Sequence, residues 1–138
     1  MFQRAYSLPK DSFFLFGPRA TGKTTWLRSI VPSALWVDLL QMREMLDLTR
    51  QPELFRARVG AQPAGTWIVI DEIQRLPQLL DEVHSLMAAH PKRNRFAMLG
   101  SSARKLRRLE ANLLAGRAIR RDFFPLTGEE MAYDFQIA

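Results

Sequence analysis

One eight-residue segment limits what this chain can fold into more than any other: GPRATGKT, from Gly17 to Thr24, fits the pattern G-x-x-x-x-G-K-S/T in full. A short apolar run, Ser12 to Phe16, precedes it and predicts a buried strand. The following residues, Thr24 to Val31, suit a helix that ends before Pro32. At a glycine frequency of roughly 7%, such an octet arises by chance in under about one in a hundred chains of this length. Strand, octet and helix together predict a phosphate-binding loop.

The residues of this loop suit distinct tasks in binding a nucleotide. Its glycines allow the backbone N–H groups to form a concave nest for phosphate oxygens, and the start of the helix adds positive potential. We expect Lys23 between the β- and γ-phosphates and the Thr24 hydroxyl on Mg²⁺. The predicted nucleotide contacts are Gly17, Pro18, Arg19, Ala20, Thr21, Gly22, Lys23, Thr24 and Thr25. The alternative is a glycine-rich turn in which a threonine caps a helix.

Two acids follow the clearest strand in the sequence, Thr66 to Ile70. Open α/β sheets bind ligands at the carboxyl ends of their strands, so Asp71 and Glu72 should emerge beside the loop. We expect Asp71 to hold Mg²⁺ and Glu72 to deprotonate the water that attacks the γ-phosphate. Neighbouring strand residues point to opposite sides, which allows the two acids different roles. Alternatively, Asp71 caps the following helix and Glu72 is an acid of its first turn.

A polar tip also follows the next predicted strand, Arg95 to Leu99, where the sequence continues Gly100-Ser101-Ser102. These serines should reach the same edge of the sheet. The Ser101 hydroxyl is our candidate for positioning the attacking water or contacting the γ-phosphate. The alternative is that the serines cap a helix that begins near Ala103.

The rest of the pattern predicts further strands and helices in alternation. The predicted elements are a strand from Ala34 to Leu39, two short helices within Leu40 to Val59 that break at Pro52, a helix from Leu79 to Met87 that ends by His90-Pro91, and a last strand from Ala118 to Phe124. Alternation of this kind implies an α/β fold with a parallel sheet covered on both faces. At 138 residues, the chain has room for one hydrophobic core and therefore one domain.

Composition excludes several classes of protein. The chain has no cysteine, which rules out disulfides, zinc-thiolate sites and thiol catalysis. No apolar stretch approaches the roughly 20 residues that span a bilayer, and Met1 to Lys10 does not resemble a secretory signal, so we expect a cytoplasmic protein without a membrane partner. A net charge of +6 favours anionic partners. The basic segment Ala103 to Leu109 could contact nucleic acid, although a solvated helix explains its charges as well and no base-reading motif supports DNA binding.

Four motifs together resemble one family. GPRATGKTT, IVIDEIQRLP, MLGSSARKLR and LLAGRAIRRDFFPLTGEE are similar to the AAA+ branch of P-loop ATPases, and more narrowly to the prokaryotic "predicted ATPase" AAA family, over nearly the whole chain. The resemblance implies a three-layer fold with strand order 5-1-4-3-2. It also implies that Gly17 to Thr24 is the Walker A loop, that Asp71 and Glu72 are the Walker B pair, and that Ser101 is the first sensor. The implied cofactors are ATP and Mg²⁺, with slow ATP hydrolysis coupled to a conformational change.

The resemblance also implies parts that this sequence does not show. Members usually continue into a lid and an uncharacterised C-terminal domain, so we expect residues 1–138 to be the N-terminal core of a longer protein. AAA+ sites normally also use a sensor arginine and an arginine finger, often from a neighbouring subunit, which makes a homo-oligomer a possible partner alongside ATP and ADP. The candidate arginines are Arg104, Arg117, Arg120 and Arg121, for which a solvated surface position is the alternative.

Three functions therefore remain open: a hydrolysing ATPase, a nucleotide-held switch with little turnover, and a small-molecule phosphotransferase. Glu72 disfavours the last, because a small-molecule kinase needs a substrate pocket and a mobile lid rather than a water-activating acid. The sequence has no guanine-selective N-K-x-D run, which favours ATP over GTP.

Overall fold

The computed structural model describes residues 8, 10–17 and 22–101, together with the backbone of residues 119–122. Helices and strands alternate along these residues, as an α/β fold requires. The five strands of this part of the chain are β1 Phe13–Phe16, β2 Leu35–Asp38, β3 Trp67–Asp71, β4 Arg95–Gly100 and β5 Ile119–Asp122. Its four α-helices are α1 Lys23–Ile30, α2 Met42–Arg50, α3 Glu53–Gly60 and α4 Leu79–Ala89. A 3₁₀ helix, Ile73–Arg75, lies between β3 and α4.

The strands form one parallel sheet in the order β2-β3-β4-β1-β5. This confirms the predicted order 5-1-4-3-2. Phe16 lies opposite Gly100 and Asp38 lies opposite Asp71, so neighbouring strands end at about the same level. Parallel strands present their carboxyl ends at one edge of the sheet, which we call the carboxyl edge. The residues that follow β1, β3 and β4 are therefore brought together there.

Alternate strand residues enter two apolar clusters, one on each face of the sheet. Phe14 of β1 and Ile68 of β3 belong to the cluster that also contains buried residues of α2, α3 and α4. Phe13 and Val69 belong to the second cluster, together with Leu27 of α1. Full burial of one such side chain contributes about 1.5 to 3 kcal/mol. The sheet is thus a central layer between helices, which confirms the predicted α/β class.

Proline residues set two of the helix boundaries, as predicted. Pro52 precedes α3 with φ −57°, a value that its ring favours and that suits the start of a helix. Helix α1 ends at Ile30, and the N–H of Val31 still donates to the Leu27 carbonyl before Pro32 stops the ladder. The predicted helices on both sides of Pro52 are confirmed as α2 and α3.

The structure adds one element and shortens others. The 3₁₀ helix after β3 was not predicted. Of the predicted last strand, Ala118 to Phe124, residues 119–122 form β5, and the other positions lie outside the described residues. The first strand begins at Phe13. The hydroxyl of the preceding Ser12 accepts a hydrogen bond from the Phe96 N–H, at 2.9 Å. Among the helices described, none is long and apolar enough to cross a membrane.

Candidate active site

The two ends of the predicted phosphate loop are both fixed at the carboxyl edge. Gly17 follows β1, and its N–H donates to the carbonyl of Gly100 at the end of β4, at 3.1 Å. Gly22 is the N-cap of α1 and has φ 89°, a left-handed conformation that a residue with a Cβ adopts only with strain. Its carbonyl accepts the first helical hydrogen bond, from Trp26, at 2.8 Å. The intervening residues, Pro18, Arg19, Ala20 and Thr21, lie outside the described residues.

The first turn of α1 carries the predicted lysine and threonines. Lys23 is only 5% exposed, which is unusual for a lysine and places its ammonium inside the site rather than in bulk water. The Thr24 hydroxyl donates to Oδ2 of Asp71 at 3.2 Å. Thr25 is exposed on the following position of the helix. The start of α1 and the end of β3 therefore meet through one side-chain hydrogen bond.

Asp71 is the last residue of β3 and is 8% exposed. Burial raises the pKa of this carboxyl above its ordinary value, and the nearby Glu72 and Asp38 carboxylates raise that pKa further. The Thr24 hydrogen bond and the Lys23 charge lower the pKa in part. A carboxylate that is buried with incomplete compensation gains from a bound cation. A carboxylate and a hydroxyl are also oxygen ligands of the kind that Mg²⁺ prefers.

No group of three or more His, Cys, Asp or Glu side chains suited to a metal occurs in the described part of the chain. Mg²⁺ does not need such a group, because it is commonly held by one or two protein oxygens together with substrate phosphates and water. Thr24 and Asp71 fit this mode of binding.

Glu72 lies just beyond β3, where the backbone turns sharply. Its φ of 59° and ψ of 50° are left-handed, a conformation that costs a residue with a side chain on the order of 1 to 3 kcal/mol. We predicted that strand alternation separates the side chains of Asp71 and Glu72. That explanation is wrong, because Glu72 lies beyond β3 and the left-handed turn sets the direction of its side chain. Glu72, rather than Asp71, is the N-cap of the 3₁₀ helix, and no side chain caps it by a hydrogen bond. The capping alternative for Asp71 is not supported.

Three polar side chains form a closed hydrogen-bonded triangle beside this turn. Ser101 Oγ donates to Glu72 Oε1 at 2.8 Å. Gln74 Nε2 donates to the same Oε1 at 2.6 Å and to Ser101 Oγ at 3.2 Å. Glu72 is only 2% exposed, whereas Gln74 and Ser101 are half-buried. The structure thus brings the two predicted water-handling residues, Glu72 and Ser101, into direct contact.

Gln74 was missed by sequence reasoning. The available signal was its position, two residues after the acidic pair, in a stretch of apolar and basic residues. Because the 3₁₀ helix was not predicted, nothing in the sequence indicated that this side chain turns back toward Glu72.

Several predicted residues lie outside the described residues. They are Ser102, Arg104, Arg117 and the basic segment Ala103 to Leu109. Arg120 and Arg121 belong to β5, of which the backbone alone is described.

The chain is similar to known proteins in sequence and in fold. A family model described as an AAA domain matches residues 10–132. The chain belongs to this AAA domain family. No curated protein matches it. Fifty chains of solved structures do, among them one of a structure of Drosophila ORC bound to AT-rich DNA and Cdc6, at 12% identity and a TM-score of 0.50.

The structural match covers 90% of this chain and 53% of the chain in the ORC structure, so this chain spans about half the length of that relative. At this identity, the likeness concerns the fold. Family and fold together confirm the resemblance to AAA+ P-loop ATPases that the motifs indicated. The AAA domain is therefore a nucleotide-binding domain of the ATPase type.

Proposed function

We propose that this AAA domain binds ATP with Mg²⁺ at the carboxyl edge and hydrolyses it to ADP and phosphate. The observation that carries the proposal is the 3.2 Å hydrogen bond between Thr24 and Asp71. It joins the end of the phosphate-loop motif to the acidic pair, although β4 lies between β1 and β3 in the sheet. A magnesium-binding hydroxyl and carboxylate in contact are expected of such a site.

Binding rests on the loop and on α1. The backbone N–H groups near Gly22 and the positive end of α1 favour an anion, and the nearly buried Lys23 adds a full positive charge. In a site shielded from water, this charge attracts phosphate more strongly than an exposed lysine would. Mg²⁺, when bound through Thr24 and Asp71, supplies neutralisation of the charge on the phosphates.

Hydrolysis rests on Glu72 and Ser101. The Glu72 carboxylate accepts the proton of the attacking water, and its turn beyond β3 places it next to the residue that follows β4. The Ser101 hydroxyl orients Glu72 and the water. General-base catalysis of this kind contributes about 10² to 10⁴ in rate.

We expect full activity to need side chains from outside residues 1–138. AAA+ sites are completed by arginines from a lid or a neighbouring subunit, so we expect turnover by residues 1–138 alone to be slow and to rise with a further domain or a second copy. A nucleotide-held switch with little turnover is the other outcome of the same binding site. DNA association remains a prediction from charge.

Phosphate release from wild type and Glu72→Gln tests the proposal. Wild type should release phosphate in an ATP- and Mg²⁺-dependent reaction, and Glu72→Gln should lower the rate by about 100-fold or more while retaining ATP affinity. Glu53→Gln, on an exposed residue of α3, is the matched control and should behave as wild type. ATP binding without release would support the switch, and equal rates in wild type and Glu72→Gln would refute the role of Glu72.

A further inference from the structure

We propose that Gln74 is a positioning residue for ATP hydrolysis: its side-chain amide holds the Glu72 carboxylate and the Ser101 hydroxyl in one fixed arrangement. This inference rests on the proposed function, because it assigns a task within the same site. Gln74 acts through Glu72 and Ser101 and needs no contact with the nucleotide.

The chemistry of the triangle fixes the orientation of the Gln74 amide. Nε2 has two hydrogens and lies 2.6 Å from Glu72 Oε1 and 3.2 Å from Ser101 Oγ. A flipped amide would instead place Oε1 against a carboxylate oxygen, where two acceptors would repel each other. Both amide hydrogens are therefore used, one on each of the two groups proposed to handle water.

The same arrangement leaves Gln74 Oε1 buried, and it has no hydrogen-bond partner among the described residues. A buried carbonyl without a partner destabilises the folded protein. Gly100 leaves the space that this oxygen occupies, since a Cβ at Gly100 would lie 2.7 Å from Gln74 Oε1 and 3.0 Å from Phe16. A glutamine retained only for stability would be poorly suited to this position. Its two donated hydrogen bonds offer a functional reason for its presence.

The Glu72 carboxylate needs such support because its side chain is flexible. A glutamate side chain has three rotatable bonds, and catalytic groups must be held within about 0.5 Å of their productive position. Ser101 donates one hydrogen bond to Glu72 Oε1. The second bond from Gln74 restrains the carboxylate from another direction, and the Gln74–Ser101 bond restrains the hydroxyl as well.

Gln74→Met tests this inference, because methionine has nearly the same length and volume but donates no hydrogen bond. We expect turnover to fall at least about tenfold, with the Kd for ATP and the KM within about twofold of wild type. The melting temperature is measured in parallel, because the variant removes two hydrogen bonds as well as the unpartnered carbonyl. Gln78→Met, on an exposed residue before α4, is the matched control and should match wild type in turnover, Kd, KM and melting temperature.

A spectroscopic measurement tests the contact without turnover. In ¹H–¹⁵N spectra of wild type, one side-chain amide pair should vanish in Gln74→Met, and that same pair should shift in Ser101→Ala, because Ser101 accepts one of its hydrogens. An unshifted pair would overturn the inference, as would wild-type turnover in Gln74→Met. Lower thermal stability with unchanged turnover would show a structural role and overturn it too. If wild type releases no phosphate, the proposed function fails and the inference fails with it, whereas the other outcomes leave the proposed function standing.

Discussion

The two edges of the sheet differ in the polar contacts that they contain. At the amino edge, where β3 and β4 begin, the Asn94 amide donates to the Thr66 carbonyl at 2.8 Å and the Arg93 guanidinium donates to the Gln62 carbonyl at 2.6 Å. At the carboxyl edge, the side chains of Thr24 and Asp71 contact each other instead. The described polar groups at the amino edge thus bind loop carbonyls. The carboxyl edge has such a bond as well, from Arg75 to the Leu39 carbonyl, and adds a contact between two side chains that we propose belong to a site.

The carboxyl edge is also where the described protein tolerates unfavourable features. Asp71 is buried with a raised pKa, Glu72 has a left-handed backbone, and the Gln74 carbonyl is buried without a partner among the described residues. Each of these lowers stability, and they occur within a few residues of one another. Functional sites commonly depart from the locally stable choice in this way. These features support the proposal that the carboxyl edge binds the ligand, whereas the polar groups of the amino edge contribute to stability.

The largest expected effect is a difference in ATP affinity between variants of two lysines. Lys23→Ala should weaken ATP binding by about 100-fold, roughly 3 kcal/mol, because it removes the buried positive charge beside the phosphates. Lys92→Ala changes an exposed lysine near the amino edge and should leave the Kd for ATP unchanged. Calorimetric titration of both variants measures the difference. Equal ATP affinities of the two variants would contradict the proposal that ATP binds at the carboxyl edge.

A second pair of variants compares two glycines. A Cβ at Gly100 would press on Gln74 and the Phe16 ring, so Gly100→Ala should destabilise the protein by about 1 to 3 kcal/mol and slow turnover. A Cβ at Gly60, at the end of α3, has nothing within 4 Å, so Gly60→Ala should stabilise by up to about 1 kcal/mol. Urea unfolding gives both values. A stabilising Gly100→Ala would show that this close packing does not constrain the site.

Loss of the Asn94 side chain should affect stability alone. Asn94→Ala removes the buried donor to the Thr66 carbonyl and should cost about 1 to 2 kcal/mol, or roughly 3 to 8 °C in Tm. Because Asn94 is at the amino edge, the Kd for ATP should not change. A parallel loss of ATP affinity, measured at a temperature where the variant is folded, would show that the two edges are coupled.

The smallest effect concerns Asp71 without metal. Its pKa is raised in the folded protein, so the native state binds more protons than the unfolded state just above pH 3.8, and stability falls as pH rises through that window. Asp71→Asn lacks this penalty. In EDTA, the variant should melt slightly above wild type at pH 7, and the difference should disappear below the unfolded pKa. A variant less stable than wild type at pH 7 would contradict the assignment of Asp71 as a poorly compensated buried carboxylate.

Local patterns predicted most of the fold. The apolar run before Asp71 became β3, and the break at Pro52 separates α2 from α3, because buried strands and proline have strong local signatures. The strand order came from the family resemblance rather than from periodicity, since local patterns do not specify which strands pair. It agrees with the structure.

The sequence predicted which residues belong to the candidate site, but it did not predict which of them are in contact. The motif spacing singled out Thr24, Asp71, Glu72 and Ser101, and the structure places all four at the carboxyl edge. Their roles remain predictions. The left-handed turn at Glu72 and the return of Gln74 toward it depend on tertiary packing around the 3₁₀ helix, and no local propensity favours a glutamate with positive φ.

Titration of wild type with ATP by calorimetry, once in Mg²⁺ and once in EDTA, tests the central claim most directly. Saturable binding of one ATP per chain that weakens markedly in EDTA is the predicted result, because Thr24 and Asp71 hold the cation that neutralises the phosphates. Absence of binding at millimolar ATP with Mg²⁺ would contradict the claim that the carboxyl edge is a nucleotide site.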